Sequence, residues 1–510
     1  KIKQNPYTLI TDTTMRDAHQ SLLATRMRTD DIVNIAEYYS KNLSNLFSLE
    51  CWGGATFDTS MRFLKEDPWD RLARLNSRAP NLLKQMLFRG SNAVGYKNYP
   101  DNVVKHFIQQ SATAGIDVFR VFDSLNLIEN MRVAIDEVRN QDKICEGTIC
   151  YTNDVTDKNE KKYTLKYYLD LVKDLEKAGA NIIAIKDMAG LAKPNAIKLL
   201  VKEIKNVTDL PIHFHTHDTS GTSSASVLSA IEENVDIVDL SIDSMSGLTS
   251  QPALGSVVSI MKQNNHDPHL DEDCIRTLSL YWEQVRQNYH AFETDFKGGS
   301  SDVYLHQMPG GQFTNLKEQA RSLGITTDKW GLVANTYAEV NQLFGDIVKV
   351  TPSSKIVGDM ALYMIANDLT KEDVINPKKE ISFPESVIEF FKGEIGIPHG
   401  GFPKELQKKV LGDIQPLTKR PGEILEAIDL DKEKEKLETE LEMIVNQYHL
   451  ASYLMYPKVF KDFIDHYKEF SDTSILSTEL FFYGPQQDKE YIIEMDKGKN
   501  LILRYLAKSD

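Results

Sequence analysis

One pattern constrains this chain more than any other. From residue 8 onward, short apolar runs alternate with longer helical patterns, eight times in about 260 residues. The runs are TLITDT (8–13), LFSLEC (46–51), LLKQMLF (82–88), VFRVFDS (118–124), CEGTICY (145–151), NIIAIKD (181–187), IHFHTH (212–217) and VDIVDLSI (235–242). Between them lie stretches such as TDDIVNIAEYYSKN and LKYYLDLVKDLEKAG, which read as helices. Eight successive strand–helix units predict an α/β protein built on a (β/α)8 TIM barrel. A doubly wound open sheet is the alternative, but it rarely uses eight units in a row.

After about residue 300 the period changes to long helical patterns. Pro and Gly punctuate them at MPGGQ (308–312), VTPSSK (350–355), GIPHGGFPKEL (396–406) and KRPGE (419–423). The charged stretch Asp429 to Glu442 reads most simply as a solvated amphipathic helix, less simply as a partner surface. The ending YIIEMDKGKNLILRYLAKSD alternates around Lys497-Gly498 and reads as a β-hairpin. The expected organisation is a barrel over 1–300, a mainly α region over 301–475 that covers the barrel mouth, and a third unit beginning at 476–510. That hairpin would leave a sheet edge unpaired, so the natural chain is expected to continue.

A barrel carries its active site where its strands end. The polar residues there are Arg16, Asp17, His19 and Gln20 after the first strand, Glu50 and Asp58 after the second, and Arg89 after the third. Asp123, Lys186, Asp187, His215 and His217 follow on strands four, six and seven, and Asp239, Ser241 and Asp243 share a face of strand eight. Singly, each reads as a loop cap or a solvated charge; together they predict a polar mouth. The stretch PIHFHTHD (211–218) places three imidazoles on one strand face. They read as core histidines or as metal ligands, and three in a row are costly to bury without partners. His215 and His217, nearest the C-terminal end, are the candidate ligands; His213 lies deeper and is expected to be hydrogen-bonded in the core.

Charge and cysteine content narrow the function classes. A formal net charge of −15 argues against a general nucleic-acid surface. Cys51, Cys145, Cys150 and Cys274 show no CxxC spacing and are expected to be free thiols, which predicts a reducing, cytoplasmic setting. No apolar run approaches ~20 residues, so no membrane span is predicted. There is no P-loop and no GxGxxG, and the pairs Gly53-Gly54, Gly298-Gly299, Gly310-Gly311 and Gly400-Gly401 read as loop glycines.

Several long motifs carry a resemblance. TDTTMRDAHQSLLATRMRT, ECWGGATFD, LFRGSNAVGYKNYPDNVV, FRVFDSLN, AIKDMAG and HFHTHDTSG resemble the carboxyltransferase domain of biotin-dependent carboxylases, over essentially the whole chain. The SNAVGY and YPDNVV wording is similar to the pyruvate carboxylase branch rather than to the oxaloacetate decarboxylase α-subunit or the transcarboxylase subunit. The tail from Phe481 resembles the start of a tetramerisation or allosteric domain. The biotin carboxylase domain and the biotinyl domain with its Met-Lys-Met acceptor are not in the chain, which looks like an excised piece.

The resemblance implies a divalent metal, zinc or manganese, on Asp17, Lys186, His215 and His217. An ammonium has no lone pair for a metal, so the family's answer is a carbamate on Lys186. Read from the residues alone, Lys186 would pair with Asp187 or Asp17. Arg16, Gln20 and Arg89 match the residues that bind pyruvate, and Asp58, Tyr96, Asp123, Ser354 and Lys355 match the biotin pocket. Thr351 matches a threonine that carries a proton between pyruvate and biotin; it could instead only cap the turn before Pro352. The implied reaction moves carbon dioxide from carboxybiotin to the pyruvate enolate, giving oxaloacetate. The implied partners are a biotinyl carrier domain, a biotin carboxylase domain and further copies of the chain, a dimer of this piece and a tetramer of the whole. Two other readings stay open: an acyl-CoA Claisen-type lyase or synthase on the same barrel, and a non-catalytic assembly subunit.

Overall fold

The computed structural model describes residues 2–507 apart from 263, 295, 327, 328 and 497. Eight strands follow the eight apolar runs: β1 (Leu9–Asp12), β2 (Ser48–Trp52), β3 (Leu83–Phe88), β4 (Val118–Val121), β5 (Ile144–Cys150), β6 (Ile182–Asp187), β7 (Ile212–Thr216) and β8 (Ile237–Leu240). Each pairs in parallel with the next, and β8 returns to β1, with Leu9 opposite Ile237 and Asp12 opposite Leu240. The sheet is therefore closed, and the open-sheet alternative falls.

The strands are buried on both faces, which explains their near-continuous apolar sequence. The helices between them bury one stripe each. Leu165–Ala178 shows how such a helix is set: the Thr164 side chain accepts from the Tyr167 N–H, and Gly179 takes a left-handed φ of 101° at the other end. Tyr168, Leu171, Val172, Leu175 and Ala178 form its buried stripe.

The barrel interior is layered. At its N-terminal end Leu9, Phe47, Val118, Ile182 and Ile237 form a small apolar plug. Further along the strands the inward face turns polar. Barrel interiors are usually filled by branched aliphatic side chains, but here Thr11, Ser48, Gln85, Arg120, Glu146, His213 and Asp239 are all buried. They bond sideways: Thr11 to Ser48 at 2.8 Å, Ser48 to Gln85 at 2.8 Å, and Arg120 to Glu146 at 2.7 Å. With its amide oxygen turned toward Arg120, Gln85 accepts from that guanidinium at 2.9 Å and 3.2 Å. This layer is the floor beneath the mouth.

The helical stretch after the barrel divides in two. Met308, Phe313, Leu316 and other side chains as far as Leu411 form a second core, which Leu125 in the loop after β4 joins. Leu437 to Ile464 belong instead to the barrel's own core. Here Trp69 stacks on Tyr448 at 4.7 Å and donates to the Ser452 hydroxyl at 2.9 Å. The charged helix Leu430–Leu441 buries only Leu437 and Leu441, as a solvated amphipathic helix does. The hairpin is present as β9 (Glu490–Asp496) and β10 (Lys499–Arg504), antiparallel; Lys497, about which the alternation was read, lies outside the described residues. Among the described residues no helix is long and apolar enough to cross a membrane, and all four cysteines are free.

Candidate active site

The helical turn Thr14–Ala18 directly after β1 carries Arg16 and Asp17. Asp17 Oδ2 lies 3.3 Å from Nε2 of His215 and 3.3 Å from Nε2 of His217, and the two Nε2 atoms are 3.1 Å apart. Ligand bonds of about 2.0–2.1 Å to a tetrahedral ion put ligand atoms roughly 3.3–3.4 Å apart. The triangle therefore fits one ion, and among the described residues these three form a group able to hold one. Lys186 Nζ is 3.4 Å from His215 Nε2. As an ammonium it offers no lone pair; burial lowers its pKa, against the opposing pull of Asp17.

Each candidate ligand is oriented from behind. His215 Nδ1 donates to Asp239 Oδ2 at 2.6 Å, and His217 Nδ1 donates to the Thr249 carbonyl at 2.6 Å. Both Nε2 lone pairs then face the shared space. Gln251 Nε2 donates to Asp17 Oδ2 at 3.1 Å, while its oxygen accepts from the Thr13 hydroxyl at 2.8 Å. Burial raises the Asp17 carboxyl, but Arg16, His217 and Lys186 outweigh it and hold the group well below the usual carboxylate range. His213 lies in the core as expected, between Glu146 and Asp239 at 2.6 Å each.

Arg16 is engaged by protein through both Nη atoms, while its buried Nε has no partner among the described residues. Its guanidinium pairs with Asp17 at 3.0 Å and with Glu50 at 2.5 Å, and donates to the Gln20 oxygen at 3.1 Å. Gln20 is thereby turned so that its NH2 is left for the mouth.

A second group forms around Arg89. Its Nη1 donates to the carbonyls of Val94 and Gly95 at 2.9 and 3.0 Å, and its guanidinium lies 5.0 Å from the Tyr96 ring centre. Asp58 pairs with Arg62 at 3.0 Å; burial raises its pKa, and Arg62 and Arg89 oppose the rise. The glycine pair after β2 joins the two groups. A Cβ on Gly53 would stand 3.5 Å from Arg16 Cδ, and one on Gly54 would stand 2.7 Å from Arg89 Cζ and 2.6 Å from the Val94 carbonyl. From sequence both glycines read as ordinary loop residues; for Gly54 that expectation is corrected, because only a bare Cα there leaves room for Arg89, whereas a Cβ on Gly53 would make ordinary contacts. Gly310 is a second correction: its Cβ would meet the Thr249 carbonyl at 2.7 Å and His217 Nδ1 at 3.3 Å. Gly299 is a third, lying against the backbone of Gly221.

Asp123 closes the turn after β4. Its Oδ1 accepts from the N–H groups of Leu125 and Leu127 at 2.8 and 3.0 Å, and its Oδ2 from Asn130 at 2.9 Å. Burial pushes its carboxyl up to about 6, with those three donors pulling the other way. The VTPSSK loop docks beside it, with the Ser353 hydroxyl 3.4 Å from the Ser124 carbonyl. Thr351 in that loop is half-buried. Ser354 is fully buried and its hydroxyl has no protein partner, whereas Lys355 is exposed and pairs with Asp359 at 2.6 Å.

Sequence reasoning missed Gln251, Thr249, Arg120 and Tyr456. Arg120 had a signal, a charge inside an apolar strand. The other three act through tertiary contacts that no local pattern announces.

A closed (β/α)8 barrel with an aspartate, two histidines and a lysine gathered at its strand ends has the form of a barrel enzyme, and its mouth carries a group able to hold a metal ion. Comparison with known proteins narrows the class. A family model described as "Conserved carboxylase domain" matches residues 303–504, and one described as "HMGL-like" matches 106–280. The chain is 57% identical to the carboxyl transferase domain of Rhizobium etli pyruvate carboxylase, solved with pyruvate and biocytin, at a TM-score of 0.97, covering 99% of this chain and 85% of that one. It is 49% identical to pyruvate carboxylase of Bacillus subtilis and 52% identical to that of Staphylococcus aureus, over 99% of this chain in each case. The chain spans 44% of the length of those two relatives. It belongs to the family of pyruvate carboxylase carboxyl transferase domains.

Proposed function

We propose that this chain moves a carboxyl group from carboxybiotin to pyruvate, giving oxaloacetate. The observation that carries the reading is the Asp17–His215–His217 triangle beside Lys186, on a chain whose Rhizobium etli relative holds pyruvate and biocytin. The oxaloacetate decarboxylase α-subunit and the transcarboxylase subunit would use the same chemistry; the pyruvate carboxylase relatives favour the first reading. An acyl-CoA lyase or synthase is disfavoured by the carboxylase model over residues 303–504, and a purely structural subunit by the organised mouth.

Asp17, His215, His217 and Lys186 would hold the ion, zinc or manganese, with Lys186 as its carbamate. Such an ion supplies positive charge where the enolate oxygen develops. A carbamate forms from the neutral amine, and burial of Lys186 favours that form. Gln20 and Arg89 bind the 2-oxo acid, with Arg16 holding Gln20 and Asp17 in place. Arg89 stabilises the charge that grows on the enolate oxygen. Carboxybiotin, held against Asp58, Tyr96, Asp123, Ser354 and Lys355, supplies the carbon dioxide. Thr351 Oγ1 gives its proton to the biotin nitrogen that loses the carboxyl group, and takes one from the pyruvate methyl. The enolate carbon so formed bonds to carbon dioxide. A hydroxyl is a poor acid in water, so both transfers need hydrogen-bond reach and a dry pocket. The donor would arrive on a biotinyl carrier domain of a longer cytoplasmic chain that also bears a biotin carboxylase domain, in a homo-oligomer.

The test is oxaloacetate decarboxylation with free biotin as acceptor, together with metal analysis. Wild type should turn over only with biotin present and contain about one zinc or manganese per chain. Thr351→Ser should retain substantial activity and Thr351→Ala almost none. Biotin-independent turnover, or condensation of acetyl-CoA with a 2-oxo acid in its place, would overturn the reading.

A further inference from the structure

The residue behind His215 is Asp239, on the adjacent strand β8. A neutral imidazole presents one nitrogen as donor and the other as lone pair, and the hydrogen bond made at the back decides which. Asp239 Oδ2 takes the Nδ1–H of His215 at 2.6 Å, so the lone pair on Nε2 faces Asp17 and His217. What fixes Asp239 is the polar floor of the barrel. Arg120 Nη2 donates to Asp239 Oδ1 at 3.2 Å, and Arg120 Nη1 pairs with Oδ2. His213 Nε2 lies 2.6 Å from Oδ1, and His213 Nδ1 lies 2.6 Å from Glu146 Oε1. Carboxylates only accept, so His213 must donate from both nitrogens and cannot swing away without stranding one of them. All five side chains are fully buried, and water cannot easily replace any partner.

We infer that Asp239 is a positioning residue: it sets the tautomer and aim of His215, while Arg120 and His213 fix the carboxylate that does so. The inference rests on the metal reading of the site. Glu146 provides the internal comparison. It is as buried as Asp239 and bonds to the same Arg120 and His213, but it is not bonded to His215.

The test measures Zn2+ affinity of metal-stripped full chain by chelator competition, for wild type, Asp239→Asn and Glu146→Gln. Loss of a partner behind a metal-binding histidine typically weakens metal binding about 10- to 100-fold. Asp239→Asn should show that loss, and Glu146→Gln should stay within about threefold of wild type even if both melt earlier. Equal affinities of Asp239→Asn and wild type would overturn the inference. So would an equal loss in Glu146→Gln, since the effect would then come from general loosening of the floor. A wild type that binds no zinc and no manganese would instead sink the metal reading. For that case, or if Asp239→Asn does not fold, 15N–1H imidazole correlations of metal-free wild type decide: a proton on His215 Nδ1 supports the assignment to Asp239, and a proton on Nε2 refutes it.

Discussion

Arg89 uses one nitrogen to hold its own loop, through the Val94 and Gly95 carbonyls, and keeps the rest of its fork for the mouth. Replacing it by lysine removes the fork but not the charge. Arg89→Lys should lower biotin-dependent oxaloacetate decarboxylation by about 10²–10³, the ~2.7–4 kcal/mol of one lost charge-stabilising donor. Arg89→Ala should do the same and also lose roughly 1–3 kcal/mol in urea denaturation, because the buried Gly95 carbonyl loses its donor. A lysine variant within threefold of wild type would rule out the forked role. Asp123 yields a pH prediction. Its folded carboxyl titrates near 6, above the ordinary 3.8. The protonated form is thus favoured on folding, and that contribution is complete below 3.8 and lost as pH rises through 6. Relative to wild type, Asp123→Asn should gain up to about 3 kcal/mol in urea stability between pH 4 and pH 7. A constant difference across that range would refute the raised pKa.

At the scale of elements, the helix Gly310–Ser322 begins against the site. Its first residue touches Thr249, the carbonyl that orients His217. The close neighbour is backbone and has little room to yield. Gly310→Ala should therefore cost about 1–3 kcal/mol by thermal melting and weaken zinc binding, whereas Gly331→Ala, with open space around it, should do neither. The eight strands were legible in sequence because a strand buried on both faces leaves an apolar run, and polar residues at its end break that run sharply. The two histidines of the candidate metal group were legible because HFHTH alternates with a period of two, whereas Asp17 and Lys186 joined them only through the family resemblance. The turn holding Thr249 and Gln251 was not. One acts through its backbone carbonyl and the other through an amide reaching from the far side of the barrel closure, so neither leaves a periodic trace. Gly54 and Gly310 were likewise misread, since what a Cβ would strike lies in another part of the chain.

At the scale of the whole molecule, the mouth is finished by residues far along the chain. The Tyr456 hydroxyl donates to the Val94 carbonyl at 2.5 Å, the same carbonyl that receives Arg89. Tyr99 reaches back to the Met455 carbonyl at 2.7 Å. Tyr456→Phe should slow turnover several-fold, the effect of one hydrogen bond worth ~1 kcal/mol, with a shift of only a few degrees in melting temperature. Unchanged turnover would mean that Arg89 is set by its own loop alone. The sequence placed the helical stretch over the mouth as a single region. Its division into two cores could not be read there, because amphipathic helices announce that they have a buried face but not which neighbour covers it.

Barrel closure has a consequence for how the protein is made. β1 pairs with β8 from Leu9 to Ile237, so one edge of the first strand has no partner until the eighth has left the ribosome. At synthesis rates of ~5–20 residues per second, that edge waits roughly ten to fifty seconds. An unpaired edge is a template for pairing with another chain. The chain is therefore most exposed to misassembly between the synthesis of β1 and that of β8, and a chaperone that shields the first strand during that interval would raise the yield of folded protein without altering the finished molecule.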